Sequence, residues 1–74
     1  MNKIRRKRLA EAYESIQKAQ EIIEEVKEEE EESYDNLPDS FRDGERGEEM
    51  QGYIEMLDEV YGYLDDAQSV VDQI

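Results

Sequence analysis

The chain has 74 residues, enough for one small domain but too few for a large core, so a partner or a staple is expected to complete it. It has no cysteine and no histidine, which excludes disulfides and the usual zinc, iron and copper ligand sets. Asp and Glu number 22 against nine Lys and Arg, a formal charge of −13 that favours basic partners and opposes direct binding of nucleic acid.

The charge is segregated. Lys3, Arg5, Arg6, Lys7 and Arg8 put +5 into the first eight residues and leave −18 on the other 66. Low hydrophobicity with high net charge is a signature of disorder, and helical periodicity is what argues for order here. From Leu9 onward, Leu9, Ala12, Ile16, Ala19, Ile23 and Val26 recur at spacings of three and four. That is a heptad seam, which Tyr13 and Ile22 widen. No glycine or proline interrupts the chain before Pro38, and the spacing predicts a first helix over about 3–33.

The connection is expected over 34–44. Pro38 disfavours helical geometry at Leu37, and Asn36 and Ser40 are candidate N-caps, Ser40 with Asp43 three residues on. A short helical turn around Pro38 to Phe41 would let Leu37 and Phe41 plug the open end of a hairpin.

A second helix is predicted over about 45–73. Met50, Tyr53, Leu57, Val60, Leu64, Ala67, Val71 and Ile74 keep the three-four spacing, with Ile54 and Tyr61 on one shoulder and Met56, Tyr63 and Val70 on the other. At ~100° per residue this stripe covers an arc of about 160°, wider than a two-helix seam needs. Gly52 and Gly62 lie within it, either to admit another backbone or merely tolerated at up to about 1 kcal/mol each.

The expected fold is therefore all-α: an antiparallel, coiled-coil-like two-helix hairpin in a single domain, able to dimerise into a four-helix bundle. In that arrangement Lys3 to Arg8 would lie near Asp65, Asp66 and Asp72, and the acidic run from Glu24 to Glu32 near Arg42 and Arg46. Such pairing would offset the unfavourable placement of these charges on the dipole of the first helix.

No catalytic constellation is present. Without His or Cys, and with Ser15, Ser33, Ser40 and Ser69 as the only serines, neither an activated nucleophile nor a neutral-range base is in view. No enzyme activity, cofactor or metal is expected, and the spaced D-x-D-x-D-G loop of an EF-hand does not occur. No apolar run approaches the roughly 20 residues of a membrane span, and no hydrophobic segment follows the basic start as in a signal peptide. The expected location is the cytoplasm. The basic N-terminus is read as a pairing element and not as a site for nucleic acid or membrane.

Two surfaces could carry a function. Glu24, Glu25, Glu28, Glu29, Glu31 and Glu32 on the first helix, with Glu48, Glu49, Glu55, Asp58, Glu59, Asp65 and Asp66 on the second, could form one negative surface. Such a rod could mimic the phosphate rows of a duplex and occupy a basic cleft on another protein. Met56, Tyr61, Tyr63 and Val70 are candidates for an apolar interface, tyrosine being a favoured anchor in such patches.

The segment Tyr34-Asp35-Asn36-Leu37-Pro38-Asp39-Ser40, followed by Gly44-Glu45-Arg46-Gly47-Glu48-Glu49-Met50, resembles small acidic helical proteins of Firmicutes phages and prophages. Those pair a glutamate-rich helix with a DNLP turn and a GERGE start to the next helix; the resemblance covers roughly the second half of the chain. It carries no functional residues across. It implies a setting in which an acidic protein of this size binds and inhibits a host protein, as anti-CRISPR and other anti-defence proteins do; the location would then be the host cytoplasm. Two readings stand: an inhibitor that blocks a basic nucleic-acid-binding surface, and a structural or regulatory homo-oligomer.

Overall fold

Two long helices fold back on each other in the computed structural model, which describes residues 1–74. Helix α1 spans Lys3–Asp35, a single turn α2 spans Asp39–Arg42, and helix α3 spans Glu45–Asp72. The architecture is an all-α antiparallel hairpin, a rod of 59 × 15 × 12 Å. Its radius of gyration is 17.1 Å, against about 11 Å for a compact domain of this length.

Helix α1 starts at Asn2, whose side-chain Oδ1 accepts from the Arg5 backbone N–H at 2.8 Å. This cap satisfies a donor that the first turn would otherwise leave orphaned. The helix continues two residues past its expected end and stops where Pro38 forbids further helical geometry. Asn36 closes α1 as its C-cap and Pro38 precedes α2, so neither Asn36 nor Ser40 is the N-cap foreseen for them. Gly44 precedes α3 in an extended conformation without a side-chain cap.

Contact between α1 and α3 has a strict heptad rhythm. On α1 the covered positions in this rhythm are Leu9, Tyr13, Ile16, Gln20, Ile23, Lys27, Glu30 and Tyr34; on α3 they are Gly47, Met50, Ile54, Leu57, Tyr61, Leu64, Gln68 and Val71, with the small residues Ala19 and Gly52 half-buried beside them. The expected seams are thus half right. Leu9, Ile16, Ala19, Ile23, Met50, Leu57, Leu64 and Val71 hold, but Ala12, Val26, Tyr53, Val60, Ala67 and Ile74 are exposed. Each heptad places one true contact a residue later than hydrophobicity alone suggests.

Several of these late positions are polar with long stems, and an amphipathic side chain can pack its stem while its head reaches water. Lys27 and Glu30 do this on α1, while Gln20 is buried with its amide toward Asp65. Only Met50 among the large apolar residues is buried, at 8 % exposure, alongside Gln20 and Gly47.

At the closed end, Gly47 is buried because α2 crosses it: a Cβ here would collide with the Arg42 backbone from Cα to the carbonyl oxygen. Leu37 is half-buried against this end, whereas Phe41 points to solvent at 55 % exposure and plugs nothing. Gly52 and Gly62 have open space where a Cβ would sit, so no other backbone of this chain approaches either.

Candidate functional site: an acidic face and an apolar face

A residue directly after a seam position lies ~100° around the helix from it, and one directly before lies ~100° the other way. In two antiparallel helices, offsets of the same sign fall on the same side of the hairpin. The rod therefore has two broad faces, each built from both helices.

The face after the seam is acidic. Glu14, Glu21, Glu24, Glu28, Glu31 and Asp35 line it on α1, and Glu48, Glu55, Asp58, Asp65 and Asp72 on α3. All are exposed. Side-chain contacts confirm that these two rows share a face. Lys27 Nζ reaches Asp58 at 2.9 Å and Glu31 at 3.7 Å, Gln20 Nε2 approaches Asp65 Oδ1 at 3.5 Å, and Gln51 Nε2 donates to the Tyr34 hydroxyl at 2.9 Å.

Lys27 is the one cation between the rows. Its ammonium is held above the ordinary lysine range by the hydrogen bond to Asp58, reinforced by the charges of Asp58, Glu31 and Glu24 against a smaller desolvation effect. A seam lysine surrounded by carboxylates stays charged at any physiological pH. It joins the rows without cancelling them.

The opposite face is apolar. On α3, Tyr53, Met56, Val60, Tyr63, Ala67 and Val70 precede successive seam positions at spacings of three and four, with Ile74 next in line just past the helix end; on α1, Ala12, Ser15, Ala19, Ile22 and Val26 do the same. The exposure is substantial: Tyr63 64 %, Met56 and Val70 59 % and Ile22 47 %. Tyr53 and Tyr63 each donate a hydrogen bond to a carboxylate one turn back, Glu49 at 2.9 Å and Glu59 at 3.1 Å. These bonds, with the charge of the same carboxylates, hold both phenols above the ordinary tyrosine range. The hydroxyls thus point toward the rim and leave the rings on the face.

The residues singled out from sequence distribute unevenly over this frame. Glu24, Glu28, Glu31, Glu48, Glu55, Asp58 and Asp65 come together on the acidic face. Glu25, Glu32, Glu59 and Asp66 lie on the outer edges of the rod, and Glu29 and Glu49 fall on the apolar side near the turn. Met56, Tyr63 and Val70 share the apolar face, but Tyr61 sits half-buried in the seam between the helices. Sequence reasoning omitted Glu14, Glu21, Asp35 and Asp72, and read Ala12, Val26, Tyr53 and Val60 as core. The signal available for these was a second seven-residue stripe running beside the first.

The expected pairing of the basic N-terminus does not form. Asp65, Asp66 and Asp72 receive no ion pair from it, and Arg6 donates instead to the Ile74 carbonyl oxygen at 2.8 Å. The charged heads of Arg5 and Arg8 have no protein partner. Arg46 likewise pairs with nothing in the acidic run, and Arg42 turns inward: it donates to the Leu37 carbonyl at 3.0 Å and pairs with Asp39 at 3.3 Å.

No three carboxylates converge closely enough to hold a metal ion. No helix is long and apolar enough to cross a membrane. Comparison with family models, curated proteins and solved structures returns no match.

Proposed function

We propose that the chain is a non-enzymatic binding module whose acidic face occupies a basic surface on another protein. The observation that carries this reading is segregation. Eleven carboxylates drawn from both helices share one face with a single lysine between them, while the apolar residues gather on the opposite side. Charges scattered for solubility alone would have no reason to leave the middle of one face free of them, from Ala12 to Val26 on α1 and from Tyr53 to Val70 on α3.

Two parallel carboxylate rows on a rigid rod offer a basic cleft what the phosphates of a duplex offer it. A nucleic-acid-binding surface is the kind of partner this chemistry fits. The resemblance of the turn segment to small acidic phage proteins extends the reading to a host defence protein, with the chain acting as an anti-CRISPR-like inhibitor in the host cytoplasm. Affinity capture from a bacterial extract tests it. The captured partner should be basic, be released as ionic strength rises, and be displaced by duplex DNA. A partner held independently of salt, or one that binds the protein and duplex DNA together, would contradict the reading.

The second reading is self-association, and the exposed apolar face favours it. The protein exposes 5888 Å², whereas a compact monomer of its 8.8 kDa mass exposes about 4,800 Å². Cores this thin are commonly completed by a further copy. The two readings use opposite faces and are compatible.

A further inference from the structure

The apolar face has ends of opposite charge, and that polarity selects one way of covering it. At the open end of the hairpin Arg5 and Arg8 flank the stripe, neither engaged by a carboxylate; toward the turn Glu29 and Glu49 flank it, with Arg46 beyond them beside Gly47, so that end carries the smaller and opposite net charge. Between Arg8 and Glu29 on α1, and from Met56 to Ile74 on α3, the positions on this face carry no charge. A second copy of the chain is the occupant whose chemistry the face already contains.

We infer that two copies pack apolar face to apolar face with their long axes reversed, so that the open end of each lies over the turn of the other. This rests on reading the apolar face as a self-association surface and specifies its geometry. Two symmetric arrangements can bring the faces together. One keeps the long axes aligned, stacks α1 on the partner's α3 and sets the Arg5 and Arg8 ends against each other. The other reverses the axes, stacks α1 on the partner's α1 and α3 on the partner's α3, and sets basic ends against acidic ends. Charge favours the second.

Side-chain sizes agree with it. Gln20 meets Asp65 across the seam, which puts Ala19 and Ala67 at nearly the same level on neighbouring helices. Ala19 is also the midpoint of the α1 stretch from Ala12 to Val26. A two-fold axis crossing both helices there places alanine against alanine where the backbones must approach most closely. It then sets Ala12 opposite the partner's Val26, Val60 opposite the partner's Ile74, and Tyr63 beside the partner's Val70. Arg8 comes within one residue of the level of the partner's Glu29. Small faces large, and cation faces anion.

The result is a four-helix bundle with the acidic faces outermost, one on each side. The surface beyond that of a compact monomer, on the order of 1,000 Å², is comparable to the ~800 Å² that each partner contributes to a stable interface.

The chain has no native cysteine, so single-cysteine variants of the full protein report the arrangement directly. Ala19→Cys and Ala67→Cys should each form a disulfide-linked dimer with its own copy under mild oxidation. A mixture of Arg8→Cys and Glu29→Cys proteins should give the mixed disulfide. If Ala19→Cys and Ala67→Cys cross-link only with each other, the aligned arrangement is correct and this one is wrong. Sedimentation of the unmodified protein should show a dimer at micromolar concentration; a monomer throughout would overturn the self-association reading itself. As a check that leaves the apolar residues intact, Arg8→Glu should weaken the dimer about tenfold, and adding Glu29→Arg should restore it. Equal weakening by both variants would overturn the proposed register.

Discussion

Lys27 and Asp58 join the two helices through the middle of the acidic face, with Nζ and Oδ1 2.9 Å apart. Lys27 occupies a seam position, where a coiled coil ordinarily places an apolar side chain. Its stem packs between the helices while its head emerges among carboxylates. Removing the charge while keeping the stem separates these roles. Lys27→Met should retain the hairpin yet lower the melting temperature more in low salt than in high salt, because the lost attraction is screened. Lys27→Ala should lower it at every ionic strength. Thermal melts monitored by circular dichroism across a salt series decide this; no loss, or a loss independent of salt, in Lys27→Met would mean that the pair contributes nothing.

Alkaline pH should unfold the protein more readily. Lys27, Tyr53 and Tyr63 all have proton affinities raised in the folded state. A group with a raised folded value contributes stability that is present below its unfolded value and lost as pH climbs through the folded one. The window is therefore alkaline, opening near the ordinary values of about 10. Melting temperatures should fall through that window, with Tyr53→Phe and Tyr63→Phe each reducing the slope. Ultraviolet titration should show that Tyr53→Phe and Tyr63→Phe each remove a phenol ionising above the ordinary tyrosine range.

The glycines should respond to alanine in opposite directions. Gly52 and Gly62 lie inside α3 with open space at Cβ, so each substitution should stabilise by about 0.5–1 kcal/mol through the helix preference of alanine. At Gly47 the added methyl would meet the Arg42 backbone, and α2 would have to move. Gly47→Ala should destabilise the protein. Denaturant titration of the three variants is sufficient, and stabilisation by Gly47→Ala would contradict the close crossing of α2 over α3.

Arg42 secures that crossing from within the connection. Its guanidinium donates to the Leu37 carbonyl at 3.0 Å and lies 3.3 Å from Asp39. Arg42→Ala would leave that carbonyl without its donor and should cost about 1 kcal/mol, below the ~1.5–3 kcal/mol of hydrogen bonds to charged groups because the side chain is partly exposed. Hydrogen exchange should quicken first in the backbone amides of Phe41, Arg42 and Asp43, which close α2.

Much of this fold was legible in the amino-acid order. Heptad spacing on both sides of Pro38 located two helices and their antiparallel return, with ends within two residues. The phase of the seam was not legible, for a physical reason. On α3, Ile54, Leu57, Tyr61 and Leu64 form one apolar stripe, and Tyr53, Val60 and Ala67 with Met56 and Tyr63 form another one residue earlier. Both are continuous at helical spacing, so periodicity alone does not separate them. The choice falls to α1, where Tyr13, Ile16, Ile23 and Tyr34 bring larger surfaces to the contact than Ala12, Ala19 and Val26 do, and where Gln20 and Lys27 pack their stems.

The same ambiguity hid the site. Carboxylate abundance was plain, yet which carboxylates share a face depends on the seam phase. Glu25 and Glu59 were grouped with Glu24 and Asp58, although the rod turns them to its edges. Had the polar residues Gln20, Lys27 and Gln68 been admitted as seam members, both faces would have followed from counting by sevens.

The central claim is that the acidic face, and not net charge, engages a basic partner. The most direct measurement compares two triple variants of identical charge for binding to the partner captured from extract. Glu24→Lys, Glu28→Lys and Asp58→Lys alter the face; Glu25→Lys, Glu32→Lys and Glu59→Lys alter the edges. The first set should abolish binding while the second leaves most of it. Equal loss from both sets would contradict it.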